Sequence, residues 1–164
     1  MKWLILVLLA AVTSSLAYAK DDPFVCVPGN NASKGVFTFE IWRALTIDQD
    51  TTSFRLCELS SKSFLMVKAK EGGKFKIRTV NLDAEQLATL KSLYQATFAA
   101  NFKDDTFGTD GSTWCLEANR MNYLKVCFWT PSYNAQRRGI AAFEALGKAL
   151  WDLAQFDGSN GELR

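Results

Sequence analysis

Residues 114–129 read WCLEANRMNYLKVCFW, and this stretch decides the fold. Two runs of alternating apolar and polar residues flank a short polar turn, which is the pattern of a β-hairpin. With the turn centred on Met121, the apolar side chains of both strands share one face, because side chains alternate along a strand. The opposed pairs on that face are Trp114 with Phe128, Leu116 with Val126, and Ala118 with Leu124. A shift of one residue would mix the two faces, so the pattern itself predicts this register.

The other face of this hairpin carries Glu117 opposite Lys125 and Cys115 opposite Cys127. Directly opposed residues have Cβ atoms roughly 4.5–5.5 Å apart, which is close to disulfide reach if the pair is of the non-hydrogen-bonded type. We therefore predict a disulfide between these two cysteines. The alternative is a pair of half-exposed thiols that face each other.

The chain has four cysteines, an even number that allows three pairings. Because the hairpin favours Cys115 with Cys127, the second predicted disulfide joins Cys26 to Cys57. That bond would close a loop of about 30 residues and tie the N-terminal segment to the sheet. A zinc site is the competing use of four cysteines. The chain has no C-x-x-C pair and no histidine, so we predict no metal site.

Residues 1–19 have the features of a signal peptide. Lys2 precedes the apolar run LILVLLAAV, and the stretch ends in Ala17-Tyr18-Ala19, a small-x-small cleavage pattern. The apolar run is too short for a membrane span, which needs about 20 residues. We therefore predict an exported protein, periplasmic or secreted, with no transmembrane segment. Four cysteines that pair as disulfides agree with an oxidising compartment.

Residues 20–164 are long enough for a single domain with one buried core. Without Lys2 the chain has 18 basic and 17 acidic residues, a balance that favours neither nucleic acid nor a membrane as partner. Aromatic residues make up 13% of the chain, including 12 Phe, so material for a core is ample.

Upstream of the hairpin, a lead-in rich in Pro, Gly and Asn precedes four predicted strands. Residues 36–42 read VFTFEIW and alternate, which predicts a strand, with a helix over residues 39–47 as the alternative. Further strands are predicted over residues 53–59, 63–69 and 74–80, the last two joined at Glu71-Gly72-Gly73.

Two helices complete the predicted fold. Asp83 and Gln86 form a capping-box pattern, and Leu87, Leu90, Tyr94 and Phe98 lie on one face of a helix that should run to about residue 100. After the hairpin, Ser132 or Asn134 is expected to cap a second helix that ends at Asp157-Gly158. Its apolar stripe is Ile140, Phe143, Leu146, Leu150, Leu153 and Ala154. The predicted class is α+β, with an antiparallel sheet of about six strands covered on one face by both helices.

Missing residue types exclude several chemistries. Without histidine, the usual Ser-His and Cys-His nucleophilic sites are excluded, and phosphate-binding glycine motifs are absent from the sequence. We predict no cofactor. Carboxylates remain as candidates for glycoside hydrolysis, which needs two facing acids. Those available are Glu40, Glu58, Asp105, Asp110 and Glu117, and the alternative reading is solvent-facing strand and turn residues.

The strongest charged feature is KAKEGGKFKIR, residues 68–78. A turn centred on Gly72 would place Lys70 opposite Lys74 and Lys68 opposite Lys76. Arg78 would share their face, while Val67, Ala69, Phe75 and Ile77 would point to the core. Such a face is suited to an anionic partner such as an acidic protein surface, a lipid headgroup or a polysaccharide. The alternative is a solvated sheet face whose lysines prevent edge pairing.

Three aromatic residues, Trp114, Trp129 and Tyr133, gather at the open end of the predicted hairpin. Exposed aromatic rings anchor interfaces or stack on sugars, so these residues are candidates for binding. Core packing is the alternative.

Arg137 and Arg138 lie near a predicted helix start, where the helix dipole disfavours a positive charge. A carboxylate or a binding partner is therefore a candidate to contact them. Simple solvation of both side chains is the favoured interpretation.

From Asp110 the chain reads DGSTWCLE, then a strand ending in FWTP, then a helix with GKALWDLA. This block resembles one found in uncharacterised exported bacterial proteins. The resemblance implies a bacterial origin and a strand, strand, helix order, and it carries no activity.

Together these features predict an exported, non-enzymatic binding or inhibitory protein. Its expected partner is a macromolecule, with an anionic protein surface or a polysaccharide as candidates. The alternative is a carboxylate-dependent hydrolase that acts on envelope polysaccharide.

Overall fold

A computed structural model of the chain describes residues 23–26, 35–44, 50–71, 73–119 and 123–155. The predicted signal peptide, the centre of the hairpin turn at residues 120–122 and the predicted helix stop at residues 157–158 lie outside this part of the chain. Within it, the elements in chain order are β1 (Phe37–Arg43), β2 (Thr51–Glu58), β3 (Ser63–Glu71), β4 (Lys74–Asn81), α1 (Ala84–Thr97), β5 (Ser112–Asn119), β6 (Tyr123–Trp129), α2 (Ala135–Arg138) and α3 (Ala141–Leu153).

The six strands form one antiparallel sheet in the order β4-β3-β2-β1-β5-β6, which confirms the predicted fold class. The strand prediction for β1 is correct and the helical alternative is wrong. β1 lies between β2 and β5, so it joins the N-terminal strands to the C-terminal hairpin. Helix α1 connects β4, at one edge of the sheet, to β5 on the far side of β1.

The predicted hairpin register is confirmed for every pair. Trp114 lies opposite Phe128 and Cys115 opposite Cys127. Both predicted disulfides are present, and the Cα atoms of Cys115 and Cys127 lie 4.1 Å apart. This short separation is typical of a non-hydrogen-bonded antiparallel pair, for which about 4.5 Å is expected.

Helix α1 begins where the sequence predicts. The Asp83 carboxylate accepts a hydrogen bond from the Gln86 backbone N–H at 2.8 Å, and the Gln86 side chain accepts one from the Asp83 N–H at 3.0 Å. Leu90 and Tyr94 are buried as predicted. The helix ends at Thr97, about a turn earlier than predicted, and Phe98 caps it with its side chain 41% exposed.

Two helices, α2 and α3, follow the hairpin, so the prediction of one continuous helix is wrong. Gly139 ends the one-turn helix α2 with φ 74°, a left-handed conformation that glycine adopts without steric cost. Asn134 precedes α2 with φ 55° and makes no side-chain capping bond. The predicted apolar stripe of α3 is confirmed, since Ile140, Phe143, Leu146 and Leu150 are buried, as is Ala154, while Leu153 is partly buried.

The main core lies between the helices and one face of the sheet, here called the helix face. Phe39 and Trp114 from the central strands pack there against Phe143 of α3. Gly147 brings α3 close to the sheet, because a Cβ atom built at this position would lie 2.3 Å from Trp114 Cζ3. The close approach of α3 therefore depends on the absence of a side chain at residue 147.

A smaller cluster lies on the opposite face of the sheet, here called the outer face. The disulfide from Cys26 to Cys57 holds residues 23–26 against it, and Phe24 and Cys26 pack on Phe64 and Met66. The Arg55 guanidinium lies over the Phe24 ring and donates a hydrogen bond to the Phe24 carbonyl. The second disulfide thus ties the N-terminal segment to the sheet, as predicted.

The predicted register of the β3–β4 hairpin is wrong by one residue. Glu71 pairs with Lys74, Lys70 with Phe75, and Lys68 with Ile77. Only two residues, Gly72 and Gly73, separate the strands, and two-residue turns with glycine are the common hairpin connection. The true register removes the like-charge pairs that the prediction implied, because each lysine now faces an apolar or acidic residue.

The substitution Gly147→Ala tests the close approach of α3 to Trp114. Alanine favours the helix by up to about 1 kcal/mol, but overpacking a core costs about 1–3 kcal/mol. We expect a net loss of about 1–2 kcal/mol in the free energy of unfolding, measured by urea denaturation. The neighbouring exposed change Lys148→Ala should stay within about 0.5 kcal/mol of the wild type. A Gly147→Ala variant as stable as the wild type would contradict this packing.

Candidate binding surface

The corrected register divides the predicted basic patch between the two faces of the sheet. Lys68 and Lys70 lie on the outer face, because their partners Ile77 and Phe75 do. The other three residues lie on the helix face; they are Lys74, Lys76 and Arg78. The five cations therefore do not form one surface, and the predicted core positions of Phe75 and Ile77 are also wrong. Ile77 packs instead on the smaller cluster of the outer face.

The three predicted aromatic candidates have different environments. Trp114 is completely buried, and its indole N–H donates to Ser112 Oγ at 2.7 Å. Trp114 is therefore a core residue and not a candidate for binding. Trp129 is half-buried, and its N–H donates to the Asp110 carbonyl at 2.6 Å. Tyr133 is 55% exposed, with its ring centroid 6.3 Å from that of Trp129. Only the last two remain accessible from solvent.

A buried ion pair holds the segment that contains Trp129 and Tyr133. The Arg138 guanidinium donates to both carboxylate oxygens of Asp104, at 3.1 and 2.6 Å. Its other N–H groups donate at 2.9 Å to the carbonyls of Trp129, Thr130 and Tyr133. All five donors of the guanidinium are thus used. The side chains of Arg138 and Asp104 are only 7% and 5% exposed, so the favoured reading of Arg138 as a solvated residue is wrong.

The environment of Asp104 favours its charged form. The hydrogen bond from Arg138 holds the pKa of Asp104 below its usual value of 3.8, although burial acts in the opposite direction. The Thr106 hydroxyl adds a further hydrogen bond at 2.8 Å. This network fastens the loop before β5 to the segment after β6.

Two aromatic residues of the outer face were missed as candidates, Trp42 and Phe75. They are 45% and 53% exposed. The alternation of β1 already implies that Trp42 points away from Phe39 and Ile41, so this residue was detectable in the sequence. Phe75 was not, because its face depends on the number of residues in the turn before β4.

Each of these two rings has a lysine ammonium over it. Lys125 Nζ lies 5.7 Å from the Trp42 ring centroid, and Lys68 Nζ lies 5.4 Å from that of Phe75. The Trp42 indole N–H donates to Glu40 Oε2 at 3.2 Å, which orients the ring. The outer face therefore presents two similar units, each made of an exposed ring and a cation; we call them the ring–ammonium pairs.

The lysines of the ring–ammonium pairs differ from those beside them. Lys70 forms an ion pair with Asp50 at 3.4 Å, and Lys76 forms one with Glu71 at 3.2 Å. Lys68 and Lys125 have no carboxylate oxygen within 4.0 Å among the residues that the structure describes. Within that part of the chain, no close ion pair therefore occupies either ammonium group, and the nearest acidic position in the register is Glu117, directly opposite Lys125.

The candidate carboxylates are spread over the molecule. Glu58 forms an ion pair with Lys91 of α1 at 3.0 Å, and Asp105 and Asp110 are exposed in the loop before β5. Glu40 and Glu117 share the outer face on neighbouring strands, since Glu40 pairs with Cys115, two residues from Glu117. Of the five predicted carboxylates, these two are diagonal neighbours in the sheet.

Among the described residues, no group of three or more His, Cys, Asp and Glu side chains is arranged to hold a metal ion. In the same part of the chain, no helix is both long and apolar enough to cross a membrane. The chain matches no family model, no curated protein and no solved structure.

The ion pair between Arg138 and Asp104 predicts a pH-dependent stability. The pKa of Asp104 is lower in the folded state than in the unfolded state. The ion pair therefore contributes its full stability above the unfolded-state pKa, near pH 4, and this stability is lost as the pH falls through the folded-state pKa. Asp104→Asn leaves the buried guanidinium charge uncompensated. We expect it to cost about 3–5 kcal/mol and to make the loss of stability between pH 5 and pH 3 less steep. Urea denaturation across this pH range measures both effects.

Asp105→Asn is the matched control, because Asp105 is the exposed neighbour of Asp104. Its stability should stay within about 0.5 kcal/mol of the wild type. Equal pH slopes for the wild type and Asp104→Asn would show that the ion pair contributes no pH dependence.

Proposed function

We propose that this protein is an exported, non-enzymatic binding protein that contacts an anionic macromolecule through the outer face of its sheet. The observation that carries the proposal is the presence of two ring–ammonium pairs whose lysines have no carboxylate partner among the described residues. Exposed aromatic rings are frequent anchors of interfaces, and unpaired cations favour an anionic partner.

Three features support the export of this protein. The two disulfides are typical of an oxidising compartment, and the signal-peptide pattern of residues 1–19 favours export to the periplasm or beyond. The resemblance of residues 110–154 to exported bacterial proteins favours a bacterial envelope. The inner strands of the sheet are paired on both sides, so the backbone of the outer face has a defined shape before binding.

The double substitution Lys68→Gln with Lys125→Gln tests this proposal. The probes are two immobilised polyanions, polygalacturonate and polyglutamate, with affinity measured at several salt concentrations. Each exposed ionic contact contributes at most about 1 kcal/mol, so we expect the variant to bind about tenfold more weakly to the polyanion that the wild type retains. The wild-type affinity should fall as salt rises.

The control is Lys74→Gln with Lys148→Gln, which removes the same charge from the helix side of the sheet. It should bind like the wild type, because neither lysine belongs to a ring–ammonium pair. Equal weakening of both double variants would show that binding follows net charge and not the outer face. A wild-type protein that binds neither polyanion would remove the proposal.

A second candidate function is carboxylate-dependent hydrolysis of an envelope polysaccharide. It is favoured by Glu40 and Glu117, which share the outer face as diagonal neighbours with Cα atoms roughly 7–8 Å apart, so that their carboxyl groups can approach the same ligand. The two rings of the outer face would then position a sugar chain beside the pair.

Release of reducing ends from peptidoglycan or polygalacturonate distinguishes the two candidates. A hydrolase should release reducing ends, lose at least about a hundredfold of its rate in Glu40→Gln or Glu117→Gln, and keep its rate in the control Glu58→Gln. Polymer binding without release of reducing ends would favour the binding protein.

A further inference from the structure

The two ring–ammonium pairs are arranged for a ligand longer than a single residue or sugar. Trp42 lies opposite Thr51 of β2, and Phe75 lies opposite Lys70 of β3. Because β2 and β3 pair with Ser53 opposite Lys68, their register also aligns Thr51 with Lys70. Trp42 and Phe75 therefore lie in one row across β1, β2, β3 and β4, with their Cα atoms about 14 Å apart at a strand spacing of about 4.8 Å. A ligand that contacts both rings must therefore span more than a single residue or sugar.

The position of this row on the sheet disfavours an extended peptide as the ligand. Peptides that bind sheets add a strand to a free edge, where backbone N–H and C=O groups are unpaired. β1, β2 and β3 are paired on both sides, so their backbone groups are already used within the sheet. The outer face therefore offers a ligand its side chains, chiefly the faces of the Trp42 and Phe75 rings and the ammonium groups beside them.

These side chains match the groups of a carboxylated sugar polymer. The apolar C–H face of a sugar ring stacks on an aromatic face, while its hydroxyl groups need hydrogen-bonding partners. The Trp42 N–H already donates to Glu40, so the ring face is what Trp42 presents. An ammonium over an exposed ring is held more weakly than one bonded to a carboxylate, so Lys68 and Lys125 would exchange their ring contact for a uronate carboxylate.

We propose that the outer face binds a carboxylated polysaccharide, with Trp42 and Phe75 stacking on sugar rings and Lys125 and Lys68 pairing with their carboxylates. This inference rests on the proposed function and deepens it, because it names the class of the anionic partner.

Three polymers test the inference with the full protein. Polygalacturonate carries both sugar rings and carboxylates, its fully methyl-esterified form keeps the rings without the charge, and polyglutamate has the charge without the rings. We expect the wild type to bind polygalacturonate at least about tenfold more tightly than either of the others in solution titrations.

The variants Trp42→Ala and Phe75→Ala should each lower the affinity for polygalacturonate and leave that for polyglutamate unchanged. Both side chains are exposed, and circular dichroism with non-reducing peptide mapping checks that the fold and both disulfides are kept. Trp42→Phe, which retains a ring, should recover part of the loss. The control Phe107→Ala removes a ring that is 88% exposed in the loop before β5, and it should bind as the wild type does.

The outcomes separate this inference from the proposed function. Equal affinity for polyglutamate and polygalacturonate would overturn the polysaccharide assignment and indicate an acidic protein surface, with the proposed function intact. Equal affinity for the methyl-esterified polymer would overturn the role given to the lysines, and with it the anionic partner of the proposed function. Binding to none of the polymers would overturn both the inference and the proposed function.

Discussion

The pairing of β1 with β5 is the constraint on which the rest of the structure depends. It joins two units that are local in sequence, the strands β1 to β4 and the hairpin of β5 and β6, into one sheet. Its register places Phe39 beside Leu116 and Ile41 beside Trp114, so the largest apolar side chains of both units meet on the helix face. Helix α3 covers them, and Gly147 permits the contact with Trp114.

The same pairing determines what the outer face presents. Because side chains alternate along a strand, burial of Phe39 and Ile41 forces Glu40 and Trp42 to the opposite side. The hairpin then brings Lys125 to the Trp42 ring from a position 83 residues further along the chain. The candidate binding surface is therefore a consequence of how the core is packed, and each of its units combines residues from different strands.

The buried ion pair of Arg138 and Asp104 organises the other end of the hairpin. A desolvated guanidinium is costly unless every donor is satisfied, and here three backbone carbonyls and one carboxylate satisfy it. The network sets the path of the chain between β6 and α3 and keeps Trp129 and Tyr133 together. Sequence reasoning offered a carboxylate as a candidate partner for Arg138 but did not identify Asp104. The two residues are 34 positions apart, and Asp104 lies in the loop before β5.

Local patterns made much of the fold predictable. Alternation identified the six strands, the register of β5 with β6 and the Cys115–Cys127 disulfide, and a capping box located the start of α1. The candidate site was less predictable. Lys68 was assigned to the correct side of β3 with the wrong neighbours, because a turn of two residues instead of three reverses the faces of β4.

The sequence by itself determined the fold class, the disulfide pairing and the apolar stripe of α3, because these follow from periodicity and from spacings within one element or one hairpin. Only the tertiary structure decided that Trp114 is core, that Arg138 is buried on Asp104, and that Trp42 and Phe75 lie in one row. Those facts depend on turn length and on pairing between distant strands, where a change of one residue moves every following side chain to the other face.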